Sequence, residues 1–101
     1  MPITKKYHKS KQVCRVGFKF DGDEAQTANS VCLAGDFNDW DINATPMNRN
    51  KTGFECSMDL SSGQQYRFRY VIDGKVWCND SHADDYEYSG IGESMNSVLL
   101  L

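Results

Sequence analysis

Three aspartates and an asparagine surround one tryptophan in the stretch Ala34-Gly35-Asp36-Phe37-Asn38-Asp39-Trp40-Asp41. Carboxylates at this density raise the question of a cation first. A calcium loop of the EF-hand kind needs oxygen ligands at set positions, a central glycine and a closing glutamate, and that spacing is missing. Turn chemistry is the better account, since Asp and Asn side chains accept from backbone N–H groups close by in the chain. Trp40 is then the residue to explain, because it stands where the chain turns into solvent. It either folds over the end of the core as a lid or displays its ring as a platform.

The remaining reactive groups assemble no catalytic set. Glycosidases place two carboxylates across a scissile bond in a deep cleft. Asp80, Asp84, Asp85 and Glu87 are plentiful acids, but short loops offer little concavity. His8 and His82 are far apart, and no Gly-x-Ser-x-Gly elbow accompanies the serines. Cys14, Cys32, Cys56 and Cys78 form no Cys-x-x-Cys pair, so zinc finds no local chelating unit. No glycine-rich loop opens a helix to cradle phosphate. The expectation is a protein that is not an enzyme and holds no metal or cofactor.

The chain has 101 residues, 40% hydrophobic and 25% charged, which suits a globular unit with one modest core. A net charge of −3 argues against nucleic acid, whose phosphates require a positive surface. No apolar run approaches a membrane span, and the basic start "MPITKKYHKSK" lacks the apolar region of a signal peptide. A cytoplasmic protein with free thiols is expected, with no membrane partner. Residues 1–12 read as a basic solvated tail and 13–101 as one domain.

The elements that must position Trp40 read mostly as strands. In "VCRVGFKF", Cys14, Val16, Phe18 and Phe20 share one face, and Phe54, Cys56, Met58 and Leu60 do so in "FECSMDL". "SVCLAGDF" is apolar on both faces, as a central strand should be. "QQYRFRYVI" sets Tyr66, Phe68 and Tyr70 opposite Arg67, Arg69 and Val71. Asp73-Gly74 is the strongest hairpin signal, with "KVWC" returning beside it. "MNSVLLL" is a last strand. "DGDEAQTANS" reads as a loop, "NATPMNRNKTG" as a polar connection and "NDSHADDYEYSGIGES" as irregular, with no helix of useful length. Short strands between turn signals predict an all-β, immunoglobulin-like antiparallel β-sandwich.

Taken together, "VCLAGDFNDWD", "TPM", "GFECSMDLSSGQQYRFRYVIDGKVWCND" and "MNSVLLL" resemble carbohydrate-binding module family 48. That family includes the glycogen-binding module of the AMP-activated protein kinase β subunit and the N-terminal early-set domains of isoamylases and branching enzymes. The resemblance runs from about Val13 to Leu101, and it implies an early-set sandwich that holds α-1,4-linked glucose chains on its surface. By position, Trp40 and Trp77 match the family's two tryptophans, and Arg69 stands where the kinase module has a lysine. Asn96 matches a late asparagine, and Ile91 an apolar residue that threads into a sugar ring.

The chemistry suits such a ligand. One face of glucose presents C–H groups with little hydrogen-bonding capacity, and an aromatic face offers apolar area with negative quadrupolar charge. Arg69 and Asn96 can serve the hydroxyl rim. Each exchanged hydrogen bond nets only about 0.5–1.5 kcal/mol, so a shallow site binds weakly and gains by avidity. Each residue also has a plainer use: Trp77 as strand interior, Arg69 as a solvated strand arginine, Asn96 as a turn residue. The leading expectation is non-catalytic binding of an α-glucan such as glycogen or a starch fragment. The alternative is a protein-interaction or oligomerisation module, its partner an α-glucan-active enzyme or a second copy. "SVLLL" would then supply an edge strand.

Overall fold

The computed structural model describes residues 3–21, 23–90 and 94–101. In chain order the elements are β1 Ile3–Tyr7, β2 Val13–Phe20, a short helix α1 Asp23–Thr27, and β3 Val31–Gly35. A 3₁₀ turn Asp36–Asn38 follows, then the two-residue bridges β4 Thr45–Pro46 and β5 Asn48–Arg49. The second half holds β6 Phe54–Ser61, β7 Gln65–Ile72, β8 Val76–Cys78, β9 Asp85–Tyr88 and β10 Met95–Leu100.

These strands build two antiparallel sheets packed as an immunoglobulin-like sandwich. One runs β1-β2-β6-β5; the other runs β4-β3-β7-β10-β9, with β8 also paired to β7. Period-2 alternation decides what lies between them. Val16, Phe18, Leu33, Phe54, Phe68, Tyr70 and Leu99 are each at most 2% exposed and form the core. Phe18 meets Phe68 edge-on at 5.2 Å, and Phe68 meets Tyr70 in the same way at 5.8 Å. Aromatic rings prefer this arrangement to face-to-face stacking.

β7 is the strand on which the rest depends. Phe68 pairs with both Gly35 of β3 and Ser97 of β10, and Tyr70 pairs with both Leu33 of β3 and Cys78 of β8. β3 therefore occupies one edge of β7, while β10 and β8 share the other edge end to end. The Asp73-Gly74 turn that returns β8 has the expected left-handed backbone, φ 53° and 69°, with Lys75 N donating to Ile72 O at 3.0 Å.

Four stretches differ from the sequence reading. The segment expected as a solvated tail contains β1, paired with β2 from Ile3↔Phe18 to Tyr7↔Cys14. Its lysines masked a strand whose Ile3 packs against the core. Within "DGDEAQTANS", α1 buries Ala25, and Ala28 just after it is buried as well. The stretch expected as irregular after Cys78 contains β9, held by Met95↔Tyr88 through Val98↔Asp85. β10 is no edge strand, because β7 and β9 flank it, so "SVLLL" cannot offer its backbone to a second copy. All four cysteines are free thiols, as expected.

Candidate functional site

The outward residues of β7, opposite the core, are Arg67, Arg69 and Val71. Register extends them into rows across the sheet. Val71 lies between Cys32 and Trp77, and Arg69 is paired with Ala34. Asn96, on the outward side of β10, is paired with Glu87 of β9. Val71 and Ala34 are 1% and 0% exposed although they stand outside the main core, so this outer face is itself covered.

Trp77 and Trp40 meet over it. Their ring centroids are 6.4 Å apart with the planes inclined at 35°. Trp77 is 42% exposed and Trp40 half-buried. Trp40 comes from the loop after β3, and the local sequence explains how it gets there. Gly35 passes so close to β7 that a Cβ would lie 2.5 Å from Arg67 O and 2.8 Å from Phe68 Cβ. Phe37 turns inward against Phe18 and Tyr66, at 5.8 and 6.4 Å between centroids. Asn38 ties the loop to its own base: its Oδ1 accepts from Gly35 N, and its Nδ2 donates to Leu33 O and Thr45 Oγ1.

The backbone then turns left-handed at Asp39 and Trp40, φ 57° and 60°, which sends the indole back toward the sheet. Each such residue costs on the order of 1–3 kcal/mol unless its surroundings enforce it. Trp40 N donates to Gly35 O at 2.9 Å, and Asp41 Oδ1 accepts from Asn43 N at 2.8 Å. Trp40 is thus no lid on the core: it stands apart from the core cluster, whereas Phe37 packs against it.

The polar half of the face is ordered as well. Arg69 Nε donates to Asn96 Oδ1 at 2.8 Å. Arg69 precedes Val71 by two residues on the same face, about 7 Å along the strand. Arg67 donates from Nε to Glu87 Oε1 at 2.9 Å and faces Asp36 Oδ2 from Nη1 at 3.5 Å. The hydrogen bond and charge of Glu87, with the charge of Asp36, hold the Arg67 guanidinium still more firmly protonated. Burial raises the Cys32 thiol, in the Val71 row.

A polar network, buried at Asp80 and Ser97, fixes where β8 ends and β10 begins. Tyr70 donates to Asp80 Oδ2 at 2.5 Å, and Asp80 N donates to Ser97 Oγ at 2.8 Å. Ser97 in turn donates to Asn79 Oδ1, whose Nδ2 donates to Met95 O. Burial first, then the Asp80 charge, pushes the Tyr70 phenol far up, so it remains a donor. Asn79 follows β8 closely and Ser97 follows Asn96, so this network sets Trp77 and Asn96 into register.

Of the residues singled out from sequence, Trp40 and Trp77 come together, as do Arg69 and Asn96, all on one face. Ile91 lies outside the described residues. Asp36, Arg67 and Glu87 went unassigned, and the only local signal was Asp36 standing four residues before Trp40. A second groove crosses the outer face of the other sheet between Thr4, Arg15, Lys19 and Glu55. It lacks the aromatic surface of the tryptophan pair, for Phe18 in its lining is 1% exposed. Among the described residues no group of three or more His, Cys, Asp and Glu side chains is placed to hold a metal. No helix among them is long and apolar enough to cross a membrane.

The β-sandwich thus carries two inclined tryptophans and the Arg69–Asn96 pair on one sheet face. Residues 18–99 match the family model described as the glycogen recognition site of AMP-activated protein kinase. The chain belongs to that family. No curated protein sequence matches it as a relative.

Proposed function

We propose that this module binds α-glucan chains non-catalytically on the outer face of the six-stranded sheet. Membership of a glycogen-recognition family makes carbohydrate the class of ligand. The observation that carries the finer reading is the Trp40–Trp77 pair, 6.4 Å apart and inclined at 35°. An α-1,4-linked glucose chain curves, and two rings set in a shallow V suit successive units of a curved chain better than one flat plane. C–H groups of the sugar meet the ring faces, while Arg69 and Asn96 serve the hydroxyl rim. Among the described residues Arg69 commits only its Nε, to Asn96, so its terminal nitrogens are the natural donors to a ligand. Cytoplasmic location and recruitment of a glucan-active enzyme to its polymer belong to the same reading.

Titration with maltoheptaose, read by tryptophan fluorescence and calorimetry, tests it. Saturable weak binding is expected, with Trp40→Ala and Trp77→Ala each lowering affinity at least tenfold while the fold is retained. Silence at millimolar sugar would reject the reading and redirect the search to a protein partner for this face.

A further inference from the structure

Trp40 has an unusual anchorage. Its backbone is left-handed and follows another left-handed residue, so no strand fixes where the indole points. Its Nε1–H donates to Asp36 Oδ1 at 3.0 Å. The other oxygen, Oδ2, accepts the Arg67 backbone N–H at 2.8 Å, where β3 leaves the edge of β7 after pairing Gly35 with Phe68. One carboxylate therefore completes the sheet edge and holds the ring. The same Oδ2 faces the Arg67 guanidinium, which is hydrogen-bonded to Glu87, the cross-strand neighbour of Asn96. A continuous chain Trp40–Asp36–Arg67–Glu87 frames the platform and ends beside its polar rim.

We propose that Asp36 is a positioning residue that fixes the Trp40 ring on the platform by holding its indole N–H and the β7 backbone with one carboxylate. The inference rests on the glucan reading for its functional meaning, but the clamp itself can be measured without ligand. It also carries a consequence for recognition. With the indole N–H already committed to Asp36, Trp40 offers a ligand its face and no edge donor. Selectivity at this subsite then follows the apolar face of a sugar ring rather than the placement of one hydroxyl.

The tests are Asp36→Ala and Asp36→Asn, with Asp59→Asn, an exposed acid on β6 of the other sheet, as the control. Asparagine retains one acceptor oxygen. If the Arg67 N–H takes it, the NH₂ group is left facing the indole N–H, so this variant keeps the sheet edge and releases the ring. Two readouts need no sugar: the Trp40 Nε1–H resonance in ¹H–¹⁵N NMR, and the exciton couplet of the two indoles in circular dichroism. Both Asp36 variants are expected to move that resonance to the position of an exposed indole and to weaken the couplet, with the Trp77 resonance little changed. Maltoheptaose affinity should fall about tenfold, the effect of losing one charge-assisted hydrogen bond. Asp59→Asn should leave all three unchanged.

An unmoved Trp40 resonance in folded Asp36→Asn and Asp36→Ala overturns the clamp. A moved resonance with undiminished affinity overturns its role in binding, as does an equal loss in Asp59→Asn. If wild-type protein binds no maltoheptaose yet the resonance moves, the clamp stands and the glucan reading falls.

Discussion

Arg69 and Asn96 are 27 residues apart in sequence, yet the Arg69 Nε–H meets Asn96 Oδ1 at 2.8 Å across neighbouring strands. The bond orients a planar fork that would otherwise sweep freely over the sheet, so the asparagine acts through the arginine as well as for itself. Removing either residue should therefore weaken the same interaction. Arg69→Ala and Asn96→Ala are each expected to lower maltoheptaose affinity, and the double variant should lose less than the sum. A coupling of about 0.5–1.5 kcal/mol in a calorimetric double-mutant cycle would fit contacting residues. Strict additivity would show that the pair does not act together on the ligand.

Gly35 is required by close approach rather than by its extended backbone. A methyl group there would press on Arg67 O, which is backbone and cannot yield cheaply. Gly35→Ala is expected to destabilise the fold by about 1–3 kcal/mol, the usual cost of overpacking. It should also detach the Trp40 loop from β7. Urea unfolding checks the first effect and the Trp40–Trp77 couplet the second. Unchanged stability would mean that the loop does not lie so close.

Alkaline pH should loosen the sandwich from within. Burial pushes the Cys56 thiol up from 9.0 to about 11. The folded state thus holds this proton more tightly than the unfolded chain does. Its contribution is complete below pH 9.0 and is lost as pH rises toward about 11. Tyr70, raised in the same direction, adds to the loss above pH 10. Urea midpoints measured from pH 8 upward should fall across this window, and Cys56→Ala should fall less steeply between 9 and 10. An identical slope in that variant would remove Cys56 from the account.

Much of this architecture can be read from residue types alone, and the parts that cannot share a cause. Cys14 to Phe20 and Phe54 to Leu60 alternate so cleanly that β2 and β6 follow directly, and Asp73-Gly74 marks its hairpin through backbone preference. These signals are local. β1 and β9 carry lysines, acids and exposed tyrosines, and only pairing with β2 and β10 makes them strands. α1 is little more than one turn, held by buried Ala25 and by Ala28 just beyond its end. Trp40 stands out because a large ring in a polar stretch is conspicuous, whereas Trp77 sits in Val76-Trp77-Cys78 and is singled out by the family resemblance alone. Asp36 does not stand out, because among neighbouring acids it looks like one more turn residue. Its part is set by contact with Arg67, 31 positions away.

β8 and β10 lie end to end along one edge of β7, so the candidate face is a seam between segments that the chain delivers at different times. Trp77 arrives with the hairpin that forms locally around Asp73-Gly74, whereas Asn96 arrives only when the final strand docks across a long loop. Long-range pairings of this kind form late because their loop entropy must be met first. A chain whose last strand has not yet docked would thus carry Arg69 and Trp77 on the β7–β8 hairpin but lack Asn96. On the proposed glucan reading, affinity becomes a gauge of completed folding, because a ligand that needs Asn96 would favour the chain with its last strand in place.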